Sequence, residues 1–255
     1  MEDFSIYERT DLTVEGRGGY YYSPKNPLPG NPWVYRTEFF GAFAQADLDL
    51  IKRGWHVAYY GISDMFGCPE AVELMHAFWT EMTEKHGMSK NPVLFGFSRG
   101  GMYAVNFGAK YPECVGGLYI DAPVLDMRSW PGGAGVGCGS GYDWDMCADW
   151  YHLDKKTTLD ECRGKAPTEW KPLPGNPLEN AETVAQNGTP VLLVAGDSDS
   201  AVPFVENGEI FVKRVSDAGG DIDCIVKPGC DHHPHSLTDT LPIVRFCERI
   251  IGIKK

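Results

Sequence analysis

The chain has no uninterrupted apolar run of membrane-spanning length, no Cys-x-x-Cys pair, no internal repeat and no low-complexity segment. A transmembrane helix and the compact zinc or redox motifs built on paired cysteines are thereby excluded. Positive charge is also scarce, with 23 Lys and Arg against 35 Asp and Glu and a net charge of -12. Nucleic acid and anionic membrane surfaces reward clustered cations, so neither is an expected partner. The first residues, Met1 to Glu8, lack a basic flank followed by an apolar stretch, and this predicts an unexported, cytoplasmic protein.

What is present fits a single large domain: 255 residues, 43% hydrophobic and 12% aromatic, enough to build a substantial core. The eight cysteines are scattered, and most sit where buried strand or helix positions are expected, as small apolar groups. Cys138, Cys147 and Cys162 differ because they share one irregular glycine-rich region, where a disulfide stays open as an alternative.

Strand and helix signals alternate along the chain. Tyr20-Tyr21-Tyr22 ends a strand, a proline-rich loop covers 23–32, and Trp33 to Arg36 resumes an extended run. Helical spacing of apolar residues predicts a helix over 41–53 and another from Pro69 to about His86, with a strand at Trp55 to Tyr60 between them. Val93 to Phe95 is a buried strand, and 101–110 a helix. Strands at 115–120, 190–195 and 222–226 and helices at 204–218 and 241–253 complete the pattern. Such alternation implies a mainly parallel central sheet flanked by helices. The less regular residues 122–189, which hold Trp130, Trp144, Trp150 and Trp170, read as a cap-like insertion over that sheet.

Gly96-Phe97-Ser98-Arg99-Gly100 has the Gly-x-Ser-x-Gly spacing of a nucleophile elbow, between a strand and a helix. A serine on so tight a turn has a strained backbone, and the crossing strand and helix admit only small residues two places before and after it. Its hydroxyl needs a histidine to take the proton and an acid to fix that histidine's tautomer. Both groups follow, in Gly196-Asp197-Ser198-Asp199 after one strand and Gly229-Cys230-Asp231-His232-His233-Pro234-His235 after the next.

On these three segments the chain resembles the α/β-hydrolase superfamily over about residues 20 to 253. The resemblance implies an α/β-hydrolase fold and, through the patterns Gly-x-x-Asp-x-x-Val-Pro and Pro-Gly-x-x-His, a triad of Ser98, Asp199 and His232. The strings Ser98-Arg99-Gly100-Gly101 and His232-His233-Pro234-His235-Ser236-Leu237 look like a bacterial subgroup of hydrolases and esterases that includes neighbours of carbohydrate-active proteins. Asp197 and Asp121 remain alternative acids, and His233 and His235 alternative bases or loop-orienting residues.

The oxyanion of a tetrahedral intermediate needs two N–H donors, one from Arg99 and one from the loop near Arg36-Thr37-Glu38-Phe39. The His-Gly of many relatives is absent from that loop. Arg36 either orients the loop, holds an anionic part of a substrate or makes a surface salt bridge with Glu38. Cys230, His232, His233 and His235 invite a zinc reading, but no second cluster completes a ligand set, and the triad histidine explains the same residues. The sequence therefore predicts a hydrolase of small carboxylic esters that uses neither metal nor cofactor. An acylated carbohydrate stacked on Trp130, Trp144 or Trp150 is one candidate substrate. Two alternatives are a prolyl-oligopeptidase-type peptidase, disfavoured by the missing propeller, and a non-catalytic binding protein on the same fold. Oligomeric state is not encoded in these patterns.

Overall fold

The computed structural model describes residues 3–253, so Met1 and Glu2 of the N-terminal reading lie outside the described residues. Eight strands form one sheet: β1 (Glu8–Val14), β2 (Arg17–Ser23), β3 (Trp33–Arg36), β4 (His56–Tyr60), β5 (Val93–Phe97), β6 (Gly117–Asp121), β7 (Val191–Gly196) and β8 (Ile222–Lys227). Their spatial order is β1-β2-β4-β3-β5-β6-β7-β8, antiparallel for the first two pairings and parallel from β4 to β8. Helices α1 (Gln45–Lys52), α2 (Pro69–Glu84), α3 (Gly100–Lys110), α4 (Gly141–Trp150), α5 (Lys155–Asp160), α6 (Ala181–Gln186), α7 (Gly208–Asp217) and α8 (Leu241–Ile250) surround it. None of these helices is long and apolar enough to cross a membrane.

Alternation along the central strands divides the core into two layers. Trp33, Tyr35, Leu94, Leu118, Ile120, Leu193 and Ala195 face α2, α3, α6 and α7. Val34, Val57, Phe95, Phe97, Tyr119, Leu192 and Val194 face Leu50 and Ile51 of α1 and Val244 and Cys247 of α8. Because both faces are covered, the parallel strands read as continuous apolar runs in the sequence.

The departures from the predicted elements have local causes. β1 was not foreseen because its alternation is mostly polar and its side chains are largely exposed at the sheet edge. The helix expected over 41–53 starts at Gln45, since Arg36 Nη2 donates to the carbonyls of Phe39 and Ala42 and holds 37–44 as a turn. The helix expected over 204–218 breaks at Asn207, whose side chain accepts from Leu125 N and Asp126 N and donates to Ser129 Oγ and the Pro203 carbonyl. The insertion is shorter than 122–189: its tail, Pro177 to Gln186, is a short 3-10 turn followed by α6, which packs on α3 and α7 as the crossover between β6 and β7. All eight cysteines are free thiols, so the alternative of a disulfide among Cys138, Cys147 and Cys162 is not realised in this structure.

Arg36 is fully buried with Asp47, Nε to Oδ1 3.5 Å, and its guanidinium lies 3.9 Å from the centroid of the Phe97 ring. Burial pushes the Asp47 carboxyl above its usual range while Arg36 pulls it back. Removing one member of such a pair strands the other charge. Asp47→Ala is therefore expected to lower the unfolding free energy by about 3–5 kcal/mol in urea titration, and the double change Arg36→Met/Asp47→Leu by much less.

Candidate active site

β5 enters α3 through Ser98, whose φ of 48° lies in the left-handed region that L-residues avoid. Crowding explains the flanking glycines. A Cβ on Gly96 would lie 2.7 Å from Gly100 O, one on Gly100 2.8 Å from Thr37 Oγ1, and one on Gly101 2.5 Å from Pro123 Cβ. The elbow is further tied by Ser98 N donating to Asp121 O and Val124 N donating to Ser98 O, each at 2.9 Å.

The loops after β7 and β8 converge on this serine. His232 Nε2 is 2.9 Å from Ser98 Oγ, and His232 Nδ1 is 2.8 Å from Asp199 Oδ2. A carboxylate accepts, so Nδ1 carries the proton and Nε2 offers its lone pair to the serine hydroxyl. Asp199 is itself aimed: its Oδ1 accepts from Ala201 N at 2.9 Å and Val202 N at 2.7 Å. Asp231 clasps the two loops by accepting from Ser200 N and His232 N, bonds that hold its carboxyl below the usual range. Ser98, Asp199 and His232, matched separately on the sequence, are thus brought together.

The competing acids have other partners. Asp197 accepts from Gly229 N and from its neighbour Ser198, shaping the histidine loop. Asp121, fully buried at the end of β6, accepts from His235 Nδ1, Ser236 N and Tyr119 Oη, each at 2.9 Å. His235 is accordingly a loop-orienting residue, and burial lowers its basicity against the opposing pull of Asp121. The result is a second Asp–His pair directly behind the first, with the rings of His232 and His235 edge to face at 4.9 Å.

The remaining assignments divide. No acceptor among the described residues takes the Arg99 N–H, which leaves it free for an oxyanion. Thr37 has no free group, because its N–H donates to Phe95 O and its hydroxyl donates to Gly100 O. Thr37 therefore supplies no second donor to an oxyanion. Arg36 is corrected too: its guanidinium is sealed inside the protein against the 39–42 carbonyls, where it can meet neither a substrate anion nor the surface. Glu38 pairs instead with Arg99, Nη2 to Oε2 3.5 Å, and accepts from Ser63 Oγ. Burial raises the Glu38 carboxyl, with Arg99 opposing.

Arg99 also faces Asp143 of the insertion helix α4 at 3.6 Å, joining elbow, post-β3 loop and cap. The cap is held down by Trp150 Nε1 donating to Asp64 O and Tyr151 Oη donating to Phe66 O. Trp144 and Trp170 are buried as cap core rather than offered to a ligand. Trp130 is half-buried beside Phe66, centroids 6.5 Å apart, on the wall that also carries the Arg99 guanidinium. Sequence reasoning missed Glu206, buried beneath the glycine-rich arm, where it accepts from Ser129 Oγ and Val136 N. Nothing local marks it, since Asn207, Glu209, Lys213 and Arg214 make the same stretch polar.

The parallel sheet from β4 to β8, the elbow at the end of β5 and the acid and histidine loops after β7 and β8 are those of an α/β-hydrolase fold. No family model matches the chain. Over 150 residues it is 25% identical to the mouse (Mus musculus) acylamino-acid-releasing enzyme, a stretch covering 57% of this chain and 18% of that protein. It superposes on a Mycobacterium tuberculosis puromycin-hydrolyzing peptidase with a TM-score of 0.70 and 16% identity, covering 100% of this chain and 41% of the other. A Porphyromonas gingivalis dipeptidyl peptidase 4 gives a TM-score of 0.66 at 14% identity, covering 96% and 35%. The chain thus spans well under half the length of each of these proteins.

The contact at the elbow makes a direct test. Gly101→Ala drives a methyl group into Pro123 and is expected to cost about 1–3 kcal/mol of stability, read as a lowered Tm, without altering secondary structure by circular dichroism.

Proposed function

We propose that this protein is a serine hydrolase that cleaves amide bonds of short peptides or acylated amino acids through an acyl-enzyme on Ser98. The observation that carries the reading is the unbroken line Ser98 Oγ, His232 Nε2, His232 Nδ1, Asp199 Oδ2, with both contacts under 3 Å. His232 takes the serine proton as Ser98 attacks the carbonyl carbon, and Asp199 steadies the imidazolium that forms. The Arg99 N–H faces the developing oxyanion. His232 then gives its proton to the leaving amine, and water repeats the sequence on the acyl-enzyme.

The named relatives support an amide rather than an ester as the scissile bond, since each is a peptidase or releases acylamino acids by name. Burial of Trp144 removes one of the three stacking surfaces that favoured an acylated sugar. Esters remain easier chemistry for the same acyl-enzyme, so ester turnover alone does not distinguish the two.

The test compares N-acyl-aminoacyl and dipeptidyl p-nitroanilides with p-nitrophenyl esters, together with fluorophosphonate labelling. Wild type is expected to turn over at least one anilide and to label at Ser98. Ser98→Ala and His232→Ala should lose about 10⁶-fold in kcat, and Asp199→Asn about 10⁴-fold. Hydrolysis of esters but of no anilide would return the assignment to an esterase. Full activity in Ser98→Ala, or folded protein that neither labels nor turns over any substrate, would overturn the mechanism.

A further inference from the structure

The loop that delivers His232 carries two further imidazoles, and one ligand nitrogen from each of His232, His233 and His235 lies within 4.8 Å of the other two. Their rings meet edge to face at centroid distances of 4.8 to 5.0 Å. Two of the three are already oriented as metal-binding histidines usually are, with one ring nitrogen held by a carboxylate and the other left over. Asp199 holds Nδ1 of His232 and the fully buried Asp121 holds Nδ1 of His235. The Nε2 atoms of both rings are therefore the ones available to an ion. His233 is exposed, and neither of its ring nitrogens is hydrogen-bonded among the described residues; its ring rests on Phe43 at 5.3 Å.

We infer that His232, His233 and His235 form an inhibitory site for a divalent transition-metal ion, of which Zn²⁺ is the natural representative. Three neutral imidazoles with carboxylates behind two of them suit zinc, which takes nitrogen at about 2.0–2.1 Å in tetrahedral geometry. That geometry needs ligand nitrogens about 3.3 Å apart, so the three rings draw together on binding from a span of up to 4.8 Å. A water completes the shell. Coordination occupies the Nε2 lone pair of His232, the same electrons that accept the Ser98 proton, so the ion and the nucleophile compete for one atom. Asp121 and Asp199 stand behind the imidazoles as hydrogen-bond acceptors and are not themselves ligands. The inhibitory consequence rests on the hydrolase reading above; the binding does not.

Calorimetric titration of chelator-treated protein with Zn²⁺ reads the site without reference to activity, in a background with Cys138, Cys224 and Cys230 replaced by serine to remove competing thiols. A single site is expected, weakened at least about tenfold in His233→Gln and in His235→Gln and retained in Ser98→Ala. In parallel, Zn²⁺ should slow fluorophosphonate labelling of Ser98 reversibly, with recovery on adding EDTA. His233→Gln should keep the zinc-free labelling rate but lose the zinc sensitivity. Absence of binding, or unchanged affinity in His233→Gln, overturns the site. Zinc binding with this histidine dependence in a protein that neither labels nor hydrolyses supports the site and instead refutes the proposed function.

Discussion

The close approach of chain segments at Ser98 is the constraint on which the rest of the active region depends. At three glycines there an added Cβ would lie only 2.5 to 2.8 Å from a neighbouring atom: Gly100 O, Thr37 Oγ1 or Pro123 Cβ. The strand before the serine, the helix after it, the post-β3 loop and the entry to the cap therefore meet at van der Waals contact. That crowding holds a non-glycine residue at φ 48°, a conformation that persists only when its surroundings over-determine it.

Around this point the protein buries charge in pairs. Arg36 with Asp47 supports the post-β3 loop from below, Arg99 with Glu38 caps it from above, and Arg128 with Asp126 braces the start of the insertion, its Nη2 and Oδ2 2.6 Å apart. Buried pairs add little net stability over apolar side chains of the same volume, but losing one partner is costly. Their effect here is to give loops that lack regular hydrogen bonding a defined shape. Asn207 and Asn176 act similarly on the insertion, accepting from the backbone N–H groups of Leu125, Asp126 and Met127, which no strand or helix satisfies.

The central sheet was legible because strands buried on both faces must be apolar throughout, as in Val93-Leu94-Phe95 and Val191-Leu192-Leu193. The three residues of the relay were legible because each sits where a strand ends and its chemistry requires a specific side chain. What escaped depended on contacts between segments far apart in the chain. Nothing local to Arg36 says that it will be sealed against Asp47, and nothing local to Thr37 says that its N–H will be taken by Phe95. The role of Asp121 could be narrowed only to a few alternatives, since its partner His235 lies 114 residues away. The boundary of the cap was misjudged for a related reason: α6 has only six residues, too few to show a helical period.

Arg99 sits where three separate segments of the molecule share one guanidinium, between Glu38 of the post-β3 loop, Ser63 beyond β4 and Asp143 of α4. The backbone N–H of the same residue, next in sequence to the nucleophile, has no acceptor among the described residues. Two carboxylates from segments far apart in the chain therefore share one cation beside the nucleophile. The contact that seats α4 against the elbow and the charge that borders the nucleophile thus belong to one residue.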